Sequence, residues 1–185
     1  MAASTRETII QLGDDLLRKD GFNAFSYADI SKPLGVKNAA VHYHFPSKQD
    51  LAETIALWHV DVFDRFVQKT ASKQPIDRLR TFLNFYHSIH LSGKVCIIGA
   101  FATDWHSLNP KVHAKVQAFT ESVVSWLSDL VQEGRDLGQI HSKHNPRTTA
   151  LRILTSIFAA TQLARITGDD DFSLVKNSLL DELSN

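Results

Sequence analysis

Apolar residues recur along almost the whole chain at the three-and-four spacing of an α-helix, with glycine and proline at the edges of those segments. No stretch reads as a β-strand and no internal repeat is visible, so the chain is confined to an all-α fold. Ser4-Thr5-Arg6-Glu7 is a capping box that opens the stripe Ile9, Leu12, Leu16 and Leu17, which stops at Gly21. Ser26-Tyr27-Ala28-Asp29 has cap spacing again and opens a short helix to about Leu34. Pro33 removes a backbone donor there, so this helix is expected to kink or end early. Gly35 breaks the chain, and Asn38 is placed to cap another short helix through His44. Ser47 caps a longer helix with Leu51, Ile55, Trp58, Val62 and Phe66 on one face.

Beyond it the spacing predicts a helix over 76–91 carrying Leu79, Leu83 and Tyr86 on one stripe. An interruption is expected from Gly93 to Gly99, followed by a short helix to Leu108. Asn109-Pro110 and Asn145-Pro146 each join a capping side chain to a proline at the first helical position. They launch helices to about Leu137 and to Ile166, before Gly138 and Gly168. A last amphipathic segment runs from Asp171 to Leu183.

Length and composition narrow the class. The 185 residues are 43% hydrophobic, enough to bury a core and to exclude a disordered chain. A single cysteine allows no internal disulfide and no thiolate metal cluster, which fits a reducing cytoplasm. Met1–Glu7 has no basic-then-apolar leader pattern, and the longest apolar run, Val95–Ala102, is too short to span a bilayer. The expectation is a cytoplasmic protein without a membrane partner, cofactor or metal motif.

The net charge is zero, so attraction to nucleic acid must come from local charge. Residues 1–50 carry six basic and six acidic residues, yet Ile30–Gln49 holds Lys32, Lys37 and Lys48 and no acid. That is a positive footprint on a neutral segment, as phosphate contact requires. It coincides with two short helices joined by a glycine turn, a helix-turn-helix, whose second helix enters a major groove about 12 Å wide. His42, Tyr43 and His44 add hydrogen-bonding aromatics at the same place.

Phe25-Ser26-Tyr27-Ala28-Asp29-Ile30, followed by Leu34-Gly35-Val36-Lys37-Asn38-Ala39-Ala40-Val41-His42-Tyr43-His44-Phe45-Pro46-Ser47-Lys48-Gln49-Asp50-Leu51, resembles the signature of the TetR repressor family. That signature is a helix, a Gly-Val turn, a helix ending in several aromatics, then Phe-x-Ser-Lys-x-x-Leu. The resemblance is continuous over roughly residues 6–51. It implies an N-terminal three-helix DNA-binding domain over 1–50, then a helical ligand-binding and dimerisation domain over 51–185. By position, Ser26 and Tyr27 would touch phosphate, and Lys37, Asn38, Ala39 and His42 would face bases. Tyr43 and His44 would hold the DNA backbone, Lys48 would meet phosphate at a helix start, and Val36, Val41 and Phe45 would be core. Ala39 and Ala40 stand where glycine and threonine are frequent, so readout there would be apolar contact, for instance with a thymine methyl. The partners implied are a double-stranded operator, a second copy of the chain and a small effector.

The helix from Pro146 is apolar nearly all round, through Leu151, Ile153, Leu154, Ile157, Phe158, Leu163 and Ile166. One solvent-facing helix does not need that many, so it is expected to be buried by its own core and by a partner. Leu174, Leu179 and Leu183 offer a second apolar face. The expected interface is Leu151, Leu154, Ile157, Phe158, Leu174 and Leu179. An apolar or aromatic effector is favoured, with Phe101, Trp105, Phe119, Val123 and Trp126 as its wall and His87, His90 and Cys96 beside it.

Cys96 lies in Gly93-Lys94-Val95-Cys96-Ile97-Ile98-Gly99, which resembles a glycine-cysteine-apolar run of several TetR-type repressors, including one that senses electrophiles through its cysteine, with Val95 here in place of the glycine. Free cysteine is more often a small buried hydrophobe, and a reactive thiol needs a nearby cation, for which Lys94 is the sequence neighbour. His87 and His90, three apart on a helix, could share a metal with His106, a metal-responsive alternative. Cys96, His106 and Asp104 could be read as nucleophile, base and orienter, but no strand-turn-helix elbow or phosphate loop supports an enzyme.

Overall fold

The computed structural model describes residues 4–184; Met1–Ala3, part of the segment read above for a leader, lie outside the described residues. Every regular element among them is helical: α1 (Thr5–Lys19), α2 (Tyr27–Leu34), α3 (Asn38–His44), α4 (Lys48–Thr70), α5 (Pro75–Leu91), α6 (Ile97–Thr103), a 3-10 turn (Trp105–Ser107), α7 (Pro110–Asp136), α8 (Pro146–Thr167) and α9 (Asp169–Ser184). None is long and apolar enough to cross a membrane.

The caps act as local chemistry requires. Ser4 Oγ accepts from the Glu7 N–H while the Glu7 carboxylate accepts from the Ser4 N–H, satisfying two donors that the helix start leaves open. Ser47 and Asp50 repeat the box at α4. Asn109 and Asn145 accept from the N–H groups of Val112 and Thr148 ahead of prolines at the first helical positions. α2 carries Pro33 in its last turn and stops one residue later, where Gly35 takes the left-handed conformation (φ 67°).

Three expectations about elements are corrected. Asn38 is not the cap of α3: Lys37 holds that position, and the Asn38 side chain turns back to Ser31 instead. The break expected over Gly93–Gly99 ends at Cys96, because α6 runs through Gly99 and buries Ile97, Ile98, Ala100 and Phe101. Packing of that face outweighs the helix cost of one glycine, roughly 1 kcal/mol. The helix expected to reach Leu108 ends at Thr103 and leaves a 3-10 turn.

Packing divides the chain into two compact units, Met1–Val62 with Ile97–Phe119, and Phe63–Cys96 with Thr120–Asn185. The division expected at 50/51 is one of roles, reading against sensing, and is a different partition. In the first unit Ile9, Leu17, Ile30, Val41, Phe45, Leu51 and Ile55 are fully buried or nearly so. Gly13 lets α1 lie close to α4: a Cβ there would meet Leu51 Cδ2 at 3.0 Å and Ile55 Cδ1 at 3.2 Å. In the second unit α5, α8 and α9 pack on one another, burying Leu79, Phe82, Leu83, Ile153, Ile157 and Phe172. An aromatic cluster joins Phe66 to Phe63, Phe82, Phe85 and Trp126, with ring centroids 5.6–6.3 Å apart.

Candidate nucleic-acid interface

The reading elements are α2, the Gly35 turn and α3. Backbone bonds from Gly35 N–H to Lys32 and from Val36 N–H to Ser31 close α2 and aim the chain into α3. Val41 (0% exposed) and Phe45 (2%) anchor α3 from below, and Val36 is half-buried. A helix pinned on one side presents its other face by periodicity. Ala39, His42 and Tyr43 are exposed along α3, Tyr43 at 84%, and Asn38 and the N-cap residue Lys37 are exposed at its start. His44 is half-buried, its ring 5.2 Å from that of Tyr43. The residues expected to face bases are therefore all exposed, at the start of α3 and along it.

Asn38 is oriented by its neighbour, since its Oδ1 accepts from Ser31 Oγ at 2.5 Å. His42 packs edge-on to the Tyr27 ring at 4.6 Å. Lys32 is exposed on α2, and the Arg6 guanidinium sits 5.1 Å from the centroid of the Phe45 ring.

The three residues carried over as phosphate contacts have other partners. Ser26 donates through its N–H and its hydroxyl to Asp29 Oδ2, both at 2.8 Å. These bonds, the backbone one foremost, hold the Asp29 carboxyl below its ordinary range. Tyr27 is buried, and its hydroxyl donates to the Phe45 carbonyl at 2.8 Å. Burial chiefly, helped by the charge of Asp50, pushes that phenol up to about 12. The Lys48 ammonium donates to the Phe25 carbonyl and lies over the rings of Phe25 (4.0 Å) and Phe22 (4.7 Å), and burial lowers its pKa. Such long-range partners leave no mark on local sequence.

A clasp that the sequence did not disclose holds the corner after α1. Asp104 accepts from the Phe22 N–H at 2.6 Å and from Asn23 Nδ2 at 2.8 Å, and Ser107 Oγ accepts from the same amide. Gln49 donates to the Ser107 carbonyl (2.7 Å) and accepts from the Asn109 N–H (3.0 Å). The residues after α6 are thus bonded to the start of α4 and to the approach to α2. Asp104, read above as a possible catalytic orienter, has its oxygens engaged here.

The sensing residues divide between the units. In the first, Phe101 is buried, Trp105 stacks on His113 at 4.0 Å, and Phe119 lies 6.3 Å from His59. In the second, His87 and His90 both stack on Phe172, at 5.4 and 5.0 Å. Burial foremost lowers the pKa of His87. His90 Nε2 is 2.9 Å from Asp169 Oδ1 but off the line that a hydrogen bond requires. Cys96 is buried, its thiol 3.6 Å from the Tyr86 hydroxyl. Val123 is buried and Trp126 half-buried within the aromatic cluster. His106, the third member of the metal alternative, is exposed in the first unit, and no three metal-ligating side chains converge among the described residues.

Of the interface residues, Leu154 (3%) and Ile157 (0%) face the protomer's own core. Leu151 (42%) and Leu174 (66%) are exposed, and Phe158 and Leu179 are half-buried.

Comparison with known proteins bears on this architecture. Residues 9–55 match the family described as bacterial regulatory proteins, tetR family, and residues 75–173 match the tetracyclin repressor-like C-terminal domain. The chain is 26% identical over 153 residues to the nucleoid occlusion factor SlmA of Marinobacter nauticus, covering 80% of this chain and 75% of that protein. A TetR-family transcriptional regulator from Agrobacterium tumefaciens superimposes with a TM-score of 0.90 at 24% identity, covering 98% of both chains, a likeness of fold alone. A TetR transcriptional regulator from Legionella pneumophila gives a TM-score of 0.88 at 26% identity, over 98% of this chain and 97% of that one.

Proposed function

This chain belongs to the TetR family of bacterial regulatory proteins and is a transcriptional regulator, and from that we propose that it represses as a homodimer on a palindromic operator until a small effector releases it. The observation that carries DNA reading is the exposure of Lys37, Asn38, Ala39, His42 and Tyr43 at and along α3, whose Val41 and flanking Phe45 are buried. Lys37 and Lys32 supply the local charge, and Asn38 and His42 the base-edge chemistry. A palindrome follows from two-fold symmetry, with half-sites about 34 Å apart matching successive major grooves. A cytoplasmic setting follows from that role.

Dimerisation is supported by apolar side chains that the protomer leaves uncovered on α8 and α9: Ile166 (85% exposed), Leu174 (66%), Leu163 (52%) and Leu151 (42%). Leu154 and Ile157 support it only from beneath, as core.

The effector is read as small and mainly apolar or aromatic, on the strength of Trp126 in the partly exposed cluster with Phe63 and Phe66. A preference of roughly 1–3 kcal/mol for the released state is enough for useful coupling. Electrophile sensing is disfavoured by the burial of the Cys96 thiol, and metal sensing by the stacking of both His87 and His90 on Phe172.

A gel-shift titration on the DNA flanking the chain's own gene tests the reading. A shift that weakens steeply with salt, by a log-log slope near −0.9 per phosphate neutralised, supports it. Binding that is absent at low salt, or that ignores salt, contradicts it.

A further inference from the structure

The connection between α7 and α8 forms a basic cradle that DNA reading, dimerisation and the aromatic cluster all leave unused. A cavity of about 700 Å³ is lined there by Arg135, His141, Lys143, His144, Arg152 and Glu182, among others. That volume suits a small molecule rather than a macromolecular surface.

The cradle is pinned at each turn. Ile140 is 1% exposed and seated on Gly134, where a Cβ would come within 2.5 Å of Ile140 Cδ1, so the loop reaches its place only over glycine. The His141 N–H donates to the Leu183 carbonyl at 2.7 Å, tying the loop to the end of α9. Ser142 Oγ and Thr149 Oγ1 share a hydrogen bond of 2.7 Å, and an Arg135 guanidinium N–H donates to the His144 carbonyl at 3.1 Å. The side chains at the rim therefore project from a backbone ordered before any ligand arrives, which spares the cost of ordering it on binding.

The charge is one-sided. Arg135, Lys143 and Arg152 bring three basic side chains, and the one lining acid, Glu182, is paired with Arg152 at 2.9 Å. His141, Lys143 and His144 have side chains with no hydrogen bond or ion pair among the described residues. A chain of zero net charge thus concentrates uncommitted donors in one concavity. A monovalent ion would gain little there against solvent screening, whereas a multiply charged one can engage several donors at once.

The geometry points to a binding site for a small multiply charged anion, a phosphate-bearing or polycarboxylate compound, in the α7–α8 cradle with Lys143 as its main exposed contact. The site stands whether or not operator binding holds.

Calorimetric titration of the full chain with pyrophosphate and, separately, with citrate tests it, with ionic strength held constant by chloride. Saturable binding of at least one of the two is expected, and which one binds tells phosphate from carboxylate preference. Lys143→Glu should weaken that binding roughly tenfold or more, because it removes a cation and places a like charge against the ligand. Lys143 is exposed, so the variant is expected to keep the fold. Lys111→Glu, an exposed lysine at the start of α7, should leave binding unchanged. No saturation by either anion up to about 10 mM, or equal weakening by both substitutions, overturns the assignment.

Discussion

Tyr27 separates a structural role from a DNA-contact role by one oxygen. Its hydroxyl donates to the Phe45 carbonyl at 2.8 Å inside the first unit, and the residue is 8% exposed. Tyr27→Phe keeps the ring, with its edge contact to His42, and deletes only the donor. The Phe45 carbonyl is then left buried without this partner, a loss of about 1–3 kcal/mol. For a chain of this size each kcal/mol lowers Tm by about 2–4 °C, so the variant should melt roughly 2–12 °C lower. Its alkaline limb should change as well. A phenol raised to about 12 in the fold from an ordinary 10.0 keeps its proton where the unfolded chain has lost it. Stability is therefore present below the ordinary value and lost as pH rises from there toward the folded value, and Tyr27→Phe should remove that loss. Thermal melts from neutral to alkaline pH, paired with operator affinity measured well below Tm, read both effects. A variant with unchanged Tm and clearly weakened operator binding would refute the structural role and restore Tyr27 as a phosphate contact.

Charge on α8 should act by position: Ile166→Glu is expected to yield a folded monomer by light scattering, whereas Ile157→Glu should fail to fold, since it buries an unpaired charge. A dimeric Ile166→Glu at micromolar concentration would contradict the interface. Asp104→Ala removes two hydrogen bonds to a carboxylate, at about 1.5–3 kcal/mol each before water compensates, and should lower both Tm and operator affinity. An unchanged Tm would mean that the clasp is idle. Stability should also fall with acid. His87 is lowered from 6.5 in the fold, so the unfolded chain binds more protons and stability is lost as pH falls through and below that value. Glu7 and Asp29, lowered by bonds from Ser4 and Ser26, extend the loss further down as pH passes through their folded values. Melts that stay level from pH 7 down into the carboxylate range would count against both assignments.

The helical plan was legible because its determinants are local. Ser4 with Glu7, Ser47 with Asp50, and the Asn-Pro pairs at 109 and 145 satisfy helix starts within a single turn, so their spacing alone announces them. Asn38 misleads because its side chain is drawn to Ser31, seven residues back. Gly99 misleads because burial of Ile98 and Phe101 outweighs its propensity. The outward face of α3 was legible from period and charge, since Val41 fixes which side is buried. The internal commitments of Tyr27 and Lys48 were not, because Phe45 lies 18 residues from the one and Phe25 lies 23 from the other. Apolar residues on α8 announce that burial is needed without saying by what, so Leu154 and Ile157 of the expected interface lie in the protomer's core, while Leu163 and Ile166, expected to be covered by core and partner together, are exposed in the protomer.

The most direct test of operator reading by α3 is a hydroxyl-radical footprint on the DNA flanking the gene, taken with the mass of the complex. A dimer bound to one palindrome should protect two half-sites about one helical turn apart, and Asn38→Ala or His42→Ala should change which half-site sequence is preferred. Protection without two-fold symmetry, or a sequence preference that both substitutions leave untouched, would contradict it.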